Sequence, residues 1–326
     1  MATASLQSCG YLPVATASLT PSSVLNCDLF IQRPGRSFAE LYRGSTYPLE
    51  AADIDRLRTD GVDHLYIRVE DAEAYREYLC KHVLHDRSVP PALRIRALRE
   101  VTRVAFQDAL SASDSDKYVA VAGQFGGDMA SVVAERSVQF GELYATLEHD
   151  YYTFTHVCNV TVYCTMLAHS LGVTDAVQLG EVAAGALLHD IGKRHIPQHI
   201  LNKAGKLTEK EWELIREHPV TGFKEVATRA DLTWAQLMMI YQHHERLDGS
   251  GYPTGLSASE INAWAKICAV ADVFDALTCH RPYRRAWPTK DVCEYLTNHS
   301  GTWFDADIVK CWIGHVQTVS DEITAS

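Results

Sequence analysis

The chain has 326 residues, 47% of them apolar and 22% charged, which fits a folded protein of about two domains and excludes disordered, collagen-like and low-complexity classes. Its net charge of −11, without a basic tail or stripe, argues against binding duplex nucleic acid through phosphate contacts. Nine cysteines, an odd number with no C-x-x-C pair, form neither a disulfide framework nor a zinc ribbon and point to a reducing, cytoplasmic compartment. The first 27 residues carry no charge but lack a basic start, and Ser, Thr and Pro interrupt their apolar runs, so no secretory signal is expected. The longest uncharged helical stretch, 157–174, contains Asn159, His169 and Ser170 and reads as a buried core helix; no membrane association is expected.

Residues 28–84 alternate short β-rich runs with helix. Segments 28–32, 38–41 and 64–69 read as strands, 51–60 as a polar helix and 70–84 as a second helix. Residues 1–90 are therefore expected to form a small α+β domain. It shows no nucleotide loop or metal cluster, so it reads as a regulatory or dimerising module, with a homodimer as the implied assembly. Residues 91–147 read as a helical linker, broken around 111–116 and at Gly126-Gly127. The texture then changes: 12 of the 15 histidines fall at or after His149. Thr208 with Glu211 spells a capping box before a helix over 209–217, and Ser257 with Glu260 repeats it before a long helix ending near Leu277. Residues 148–326 are expected to be an all-α domain with its own core.

His189-Asp190 ends the apolar helical run 182–188, and Gly192 suits the turn that stops it. Adjacent helical side chains point about 100° apart, so this pair can serve one metal jointly or let the carboxylate bridge two. A second cluster, His243-His244-Glu245, closes another helix and runs into a loop ending Gly249-Ser250-Gly251-Tyr252-Pro253, where the glycines let backbone approach a ligand. Asp272 lies in the apolar stretch 267–273, where an unpaired carboxylate is costly, so a cation partner is expected. His218 precedes Pro219 at a helix end, and His156 lies within a helix. Singly, a helical histidine such as His156 or His169 is a structural residue in most proteins. The pattern H-H-E-x-x-D-G-x-G-Y-P is different, because it fixes eight residue types and arises by chance on the order of 10⁻¹⁰ per start position.

With these blocks in place the second half resembles the HD-GYP family, the HD-domain metal phosphohydrolases that degrade the bacterial second messenger cyclic di-GMP. The resemblance covers about 150–316 and includes His189 to Lys193, Ile200 to Lys203, Glu217 to Pro219, His243 to Pro253, Ala269 to Thr278 and Arg281 to Arg284, all in family order. It implies an HD/HD-GYP helical fold and a metal-ligand set of His156, His189, Asp190, His218, His243, His244 and Asp272, with Asp190 bridging two divalent ions. Five imidazoles and two carboxylates suit iron, or manganese, better than structural zinc. Some relatives hold a third ion with a glutamate four residues before the first of these histidines. Tyr152 stands there, and a phenol titrating near pH 10 is a poor replacement, so two ions and hydrolysis mainly to pGpG, with GMP formed slowly, are expected.

The resemblance further implies that a metal-bridged hydroxide attacks phosphorus, that Lys193 and Asp190 are catalytic, and that Lys193, Arg281 and Arg284 contact substrate; Asp275, one turn after Asp272, is expected to support a metal ligand or to contact substrate as well. Gly249, Gly251, Tyr252 and Pro253 shape the loop beside the site, a surface the family uses to bind GGDEF-domain proteins. His195, His199 and Tyr283 fall outside the ligand positions and read as structural. Two other readings stay open: an HD hydrolase of another nucleotide, and a cyclic dinucleotide sensor or docking protein without turnover.

Overall fold

The computed structural model describes residues 10–33, 36, 38–111, 114–135, 153–203, 205–280 and 284–325. The chain divides into two compact units, 1–104 and 105–326.

The first unit is built on four strands, β1 (Tyr11–Ala15), β2 (Leu29–Ile31), β3 (Glu40–Arg43) and β4 (His64–Arg68), in the order β1-β4-β2-β3. All three pairings are antiparallel. Alternation sends Val14, Leu29, Leu65 and Ile67 into one core with Ile54 and Leu57 of α1 (Ala51–Thr59) and Tyr75, Tyr78 and Leu79 of α2 (Ala72–Leu79). β1 is a strand that the sequence reading lacks. Its Pro13 obscures the pattern, yet proline is tolerated here because β1 is an edge strand. The single helix expected over 70–84 is instead a 3₁₀ turn (Val69–Asp71), α2 and a π turn (Cys80–Leu84).

The helix α3 (Pro91–Ser111) contains the boundary between the units. The second unit continues through α4 (Ser115–Val133), α5 (Thr153–Ser170), α6 (Ala176–Leu188), a 3₁₀ turn (Ile191–His195), α7 (Gln198–Leu201), α8 (Glu209–Arg216), α9 (His218–Val226), α10 (Trp234–Gln242), α11 (Ala263–Thr278), α12 (Thr289–Asn298) and α13 (Ala306–Ala325). The expected all-helical second half behind a small α+β module is borne out. Residues 157–168 of α5 are buried throughout, as are 182–188 of α6. The break expected at Gly126-Gly127 does not occur. A Cβ on Gly126 would meet Gly180 O at 2.3 Å, so this glycine serves close packing of α4 on α6. The linker residues 136–147 lie outside the described residues.

Local capping explains some of the helix starts. Thr208 and Glu211 form the expected reciprocal box on α8. Ser257 N and Oγ both donate to Glu260 Oε2, but Glu260 N donates to Ser257 O and not to the hydroxyl, so the pair closes a turn; α11 begins later, after the cap Asn262, whose side chain accepts from Trp264 N at 2.9 Å. Among the described residues no helix is long and apolar enough to cross a membrane.

Candidate metal centre

His156 comes from α5, His189 and Asp190 from the end of α6, and His218 from the start of α9. His243 and His244 follow α10, and Asp272 belongs to α11. Close approach of the 3₁₀ turn to α9 brings them together. A Cβ on Gly192 would lie 2.0 Å from His218 O and 2.7 Å from Gly222 N. Gly192 is therefore required by packing and has no positive φ, contrary to the helix-stopping role read from the sequence.

Asp190 sits at the centre with 4% exposure. Its Oδ2 lies 3.5 Å from His156 Nε2 and 3.4 Å from His189 Nε2. Its Oδ1 lies 3.3 Å from His218 Nε2 and 3.8 Å from His243 Nε2. Each carboxylate oxygen thus faces a different pair of imidazoles. Asp272 completes the ring, with Oδ1 3.2 Å from His156 Nε2 and Oδ2 3.8 Å from His244 Nδ1. Potential ligand atoms converge within 4.8 Å in three sets: His156, His189 and Asp272; His189, Asp190 and His243; and His218, His243 and His244.

The imidazoles are held from behind. Nδ1 of His189 bonds Ala186 O at 2.6 Å, Nδ1 of His218 bonds Ile215 O at 2.7 Å, and Nδ1 of His243 lies 3.0 Å from both Met239 O and Ile240 O. Nδ1 of His156 bonds Asp275 Oδ2 at 2.7 Å, and Asn159 Nδ2 donates to the other oxygen at 2.8 Å. A carbonyl or carboxylate on Nδ1 keeps a proton there and turns Nε2 inward, where its lone pair can ligate once Nε2 carries no proton, the usual support of a metal-binding histidine. Nε2 of His156 and of His189 and Oδ1 of Asp190 are buried without a hydrogen-bond partner. Each such orphan costs about 1–3 kcal/mol, so three within one cluster of soft nitrogens and hard oxygens fit a divalent cation.

The charges interlock. Burial would lower the pKa of His156, but the Asp272 and Asp275 carboxylates outweigh it and push the group up to about 9. Burial likewise opposes a proton on His189, and Asp190 carries it up to about 9. Burial of Asp190 is overcome by Lys193 and His189, which hold its carboxyl well below the usual range, and His156 does the same for Asp272. Burial and the neighbouring imidazoles keep His243 and His244 neutral.

The remaining sequence-predicted residues divide. Lys193 Nζ lies 2.5 Å from Asp190 Oδ2, its side chain partly open to solvent. Asp275, expected either to support a ligand or to touch substrate, is fully buried behind His156, the first of the two. Arg284 donates to Ala276 O at 2.5 Å and Leu277 O at 3.3 Å, at the end of α11. Arg281, Tyr283 and Tyr152 lie outside the described residues. Gly249 adopts φ +78°, as the loop requires, and a Cβ on Gly251 would strike Arg246 N at 2.3 Å. Tyr252 and Pro253 of the same loop are half-buried, with Tyr252 against His244. Sequence reasoning missed Asn159, which carries no local motif, and the role of Glu245, which the motif names without explaining. Glu245 is buried and accepts backbone N–H bonds from Thr254, Gly255 and Leu256.

The sequence profile of the HD domain matches residues 131–308, over half of the chain. The chain belongs to the HD domain family. Within it, the resemblance to HD-GYP proteins is borne out by similar proteins. The chain is 36% identical over 164 residues to cyclic di-GMP phosphodiesterase PA4108 of Pseudomonas aeruginosa, covering 50% of this chain and 39% of that protein. It is 36% identical over 165 residues to 3′3′-cGAMP-specific phosphodiesterase 2 of Vibrio cholerae, covering 50% of this chain and 31% of that protein. The chain thus spans well under half the length of these two relatives. Bd1817, an HDG"Y"P protein from Bdellovibrio bacteriovorus, shares the fold, with a TM-score of 0.64 at 17% identity over 96% of this chain and 99% of its own.

Proposed function

We propose that this chain is a metal-dependent phosphodiesterase that hydrolyses cyclic di-GMP to linear pGpG, with GMP formed slowly. The observation that carries the reading is Asp190, whose two oxygens face two separate imidazole pairs, the arrangement a carboxylate bridging two ions requires. The similarity to PA4108, a protein named for cyclic di-GMP hydrolysis, supports the substrate.

His156, His189 and Asp272 with Asp190 Oδ2 would hold one divalent ion, and His218, His243 and His244 with Asp190 Oδ1 the second. Iron is the first choice and manganese the next. Such ions, when bound, acidify water and neutralise charge on a phosphodiester. The chain's own groups do the rest. Nδ1 bonds hold four imidazoles with Nε2 turned inward before an ion arrives, so that His156 and His189 need only lose the Nε2 proton to become ligands. The buried walls keep bulk water from the carboxylates and strengthen every charge interaction inside. Lys193, at the open edge, offers its ammonium to a non-bridging phosphate oxygen and a proton from Nζ to the departing ribose 3′ oxygen. Arg281 supplies a bidentate phosphate contact. Arg284 would join it only by leaving the α11 carbonyls, so its role is to shape that wall. Tyr152 in place of a carboxylate supports two ions and an end product of pGpG.

The proposed organisation is a regulatory domain over 1–90, a linker over 91–147 and the phosphohydrolase over 148–326, working as a cytoplasmic homodimer with a GGDEF-domain partner at the Gly249 to Pro253 loop. A second reading, hydrolysis of 3′3′-cGAMP, is favoured by the relative that bears that name. Anaerobic purification with iron or manganese, metal counting, and chromatography of products from each cyclic dinucleotide test both, with Asp190→Ala as control. Two ions per chain with pGpG accumulating from cyclic di-GMP is expected. Faster turnover of 3′3′-cGAMP selects the second reading, and full metal occupancy without product refutes both in favour of a sensor or docking protein.

A further inference from the structure

We propose that Tyr252 is a positioning residue for His244, and that buried Glu245 holds Tyr252 there; the inference rests on the metal-centre reading above. Four of the five clustered imidazoles are oriented by an Nδ1 hydrogen bond to a carbonyl or carboxylate. His244 has none among the described residues. Its Nδ1 stands 3.8 Å from Asp272 Oδ2, beyond hydrogen-bond reach. The rings of His243 and His218 meet it at 4.1 and 5.0 Å in tilted and edge-on contact, and the ring of Tyr252 stacks on it, with centroids 4.7 Å apart and planes 26° from parallel. Tyr252 N also donates to His244 O at 3.2 Å, so backbone and ring are tied to the same residue. A stacked face restricts rotation of the imidazole where the other four use a bond.

The loop that delivers Tyr252 is anchored on the residue next to His244. The Glu245 carboxylate is 2% exposed and accepts from three successive backbone N–H groups, Thr254 at 2.7 Å, Gly255 at 3.0 Å and Leu256 at 3.0 Å. Gly251 makes the return path fit, since a Cβ there would sit 2.5 Å from Glu245 Cα. Asp248 Oδ1 accepts from Ser250 N at 3.0 Å and closes the tip. An amide at position 245 would turn N–H groups toward backbone N–H groups, so Glu245→Gln loosens the anchor with little change of volume.

His244 shares a ligand set with His218 and His243 and is absent from the set of His156, His189 and Asp272. Loss of its support therefore weakens one ion of two. The test is titration of the metal-free full chain with Co(II), following its visible absorption, for wild type, Tyr252→Phe, Tyr252→Leu and Glu245→Gln. Wild type and Tyr252→Phe are expected to bind two ions alike. Tyr252→Leu and Glu245→Gln are expected to lose about 10- to 100-fold in affinity for one ion and keep the other. Two wild-type affinities in Tyr252→Leu, or in Glu245→Gln should the first fail to fold, overturn this inference alone. Equal weakening of both ions also overturns it, because a general loosening of the fold would then suffice. Wild type that binds no Co(II) overturns the metal-centre reading and takes this inference with it.

Discussion

Replacing Gly192 with alanine tests whether the site is assembled by backbone contact. The added Cβ would lie 2.0 Å from His218 O, 2.7 Å from Gly222 N and 2.8 Å from Thr221 Oγ1. Ordinary carbon contacts begin near 3.5 Å, so the 3₁₀ turn and α9 must separate by about 1.5 Å. Two of the three obstacles are main-chain atoms, and no rotamer change relieves them. Overpacking of this kind costs about 1–3 kcal/mol, and this site belongs at the upper end. In a domain of roughly 150–250 residues each kcal/mol moves Tm by about 2–4 °C, so the variant should melt about 6–12 °C below wild type in chelator. The same separation carries His218 Nε2 away from Asp190 Oδ1, now 3.3 Å distant, and should weaken metal binding by about 10- to 100-fold. Calorimetry with chelator and Co(II) titration read the two effects. A Tm within about 2 °C of wild type together with unchanged metal affinity would refute the packing argument.

Adjacent glycines in α4 should respond with opposite sign. Gly127→Ala enters open space and should stabilise by about 0.5–1 kcal/mol, whereas Gly126→Ala meets Gly180 O at 2.3 Å and should lower Tm; equal shifts would contradict the α4–α6 contact. Metal binding should depend steeply on pH, because His156 and His189 titrate near 9 in the ion-free protein and each proton displaced changes apparent affinity about tenfold per pH unit below that value. The same raised values stabilise the ion-free fold fully below about 6.5 and cease to do so as pH rises through about 9. The Tm increment on adding Mn(II) should therefore grow from pH 6.5 to 9, and a flat increment would contradict the assignment. Asp275→Asn should weaken metal binding by about 10- to 100-fold through His156 and leave KM unchanged at saturating metal; a raised KM with intact metal affinity would restore Asp275 to the substrate.

The chemistry was legible where it is written in consecutive residues. His243 to Pro253 and His189-Asp190 announce a metal site because their residue types and spacing are improbable together. What orients the imidazoles was not legible, since Ala186, Ile215 and Met239 contribute main-chain oxygens, and any residue type offers the same carbonyl. Asp275 shows the same limit from the other side. Its place one turn after Asp272 is visible in sequence, but whether it faces substrate or the back of His156 depends on α5, which lies more than a hundred residues earlier. Gly126 reads as a break until Gly180 is seen against it, and Pro13 hides an edge strand for want of knowing that it is an edge.

The interlocked charges explain how five imidazoles and two central carboxylates stay folded together. An isolated buried carboxylate is strongly unfavourable, yet Asp190 lies between Lys193 and a protonated His189, and Asp272 lies against a protonated His156. Neutral His243 and His244 complete the ring without adding charge. The cluster is thus balanced by protons and one ammonium. If cations take the carboxylate oxygens, the two imidazolium protons lose their stabilising partners and leave, and Lys193 loses the strongest reason to stay 2.5 Å from Asp190. The ammonium is then free at the open edge, where a phosphodiester would arrive. Under the proposed function one contact would therefore do two jobs in succession: it neutralises Asp190 while the fold is ion-free, and it would keep Lys193 beside the position from which substrate charge is met.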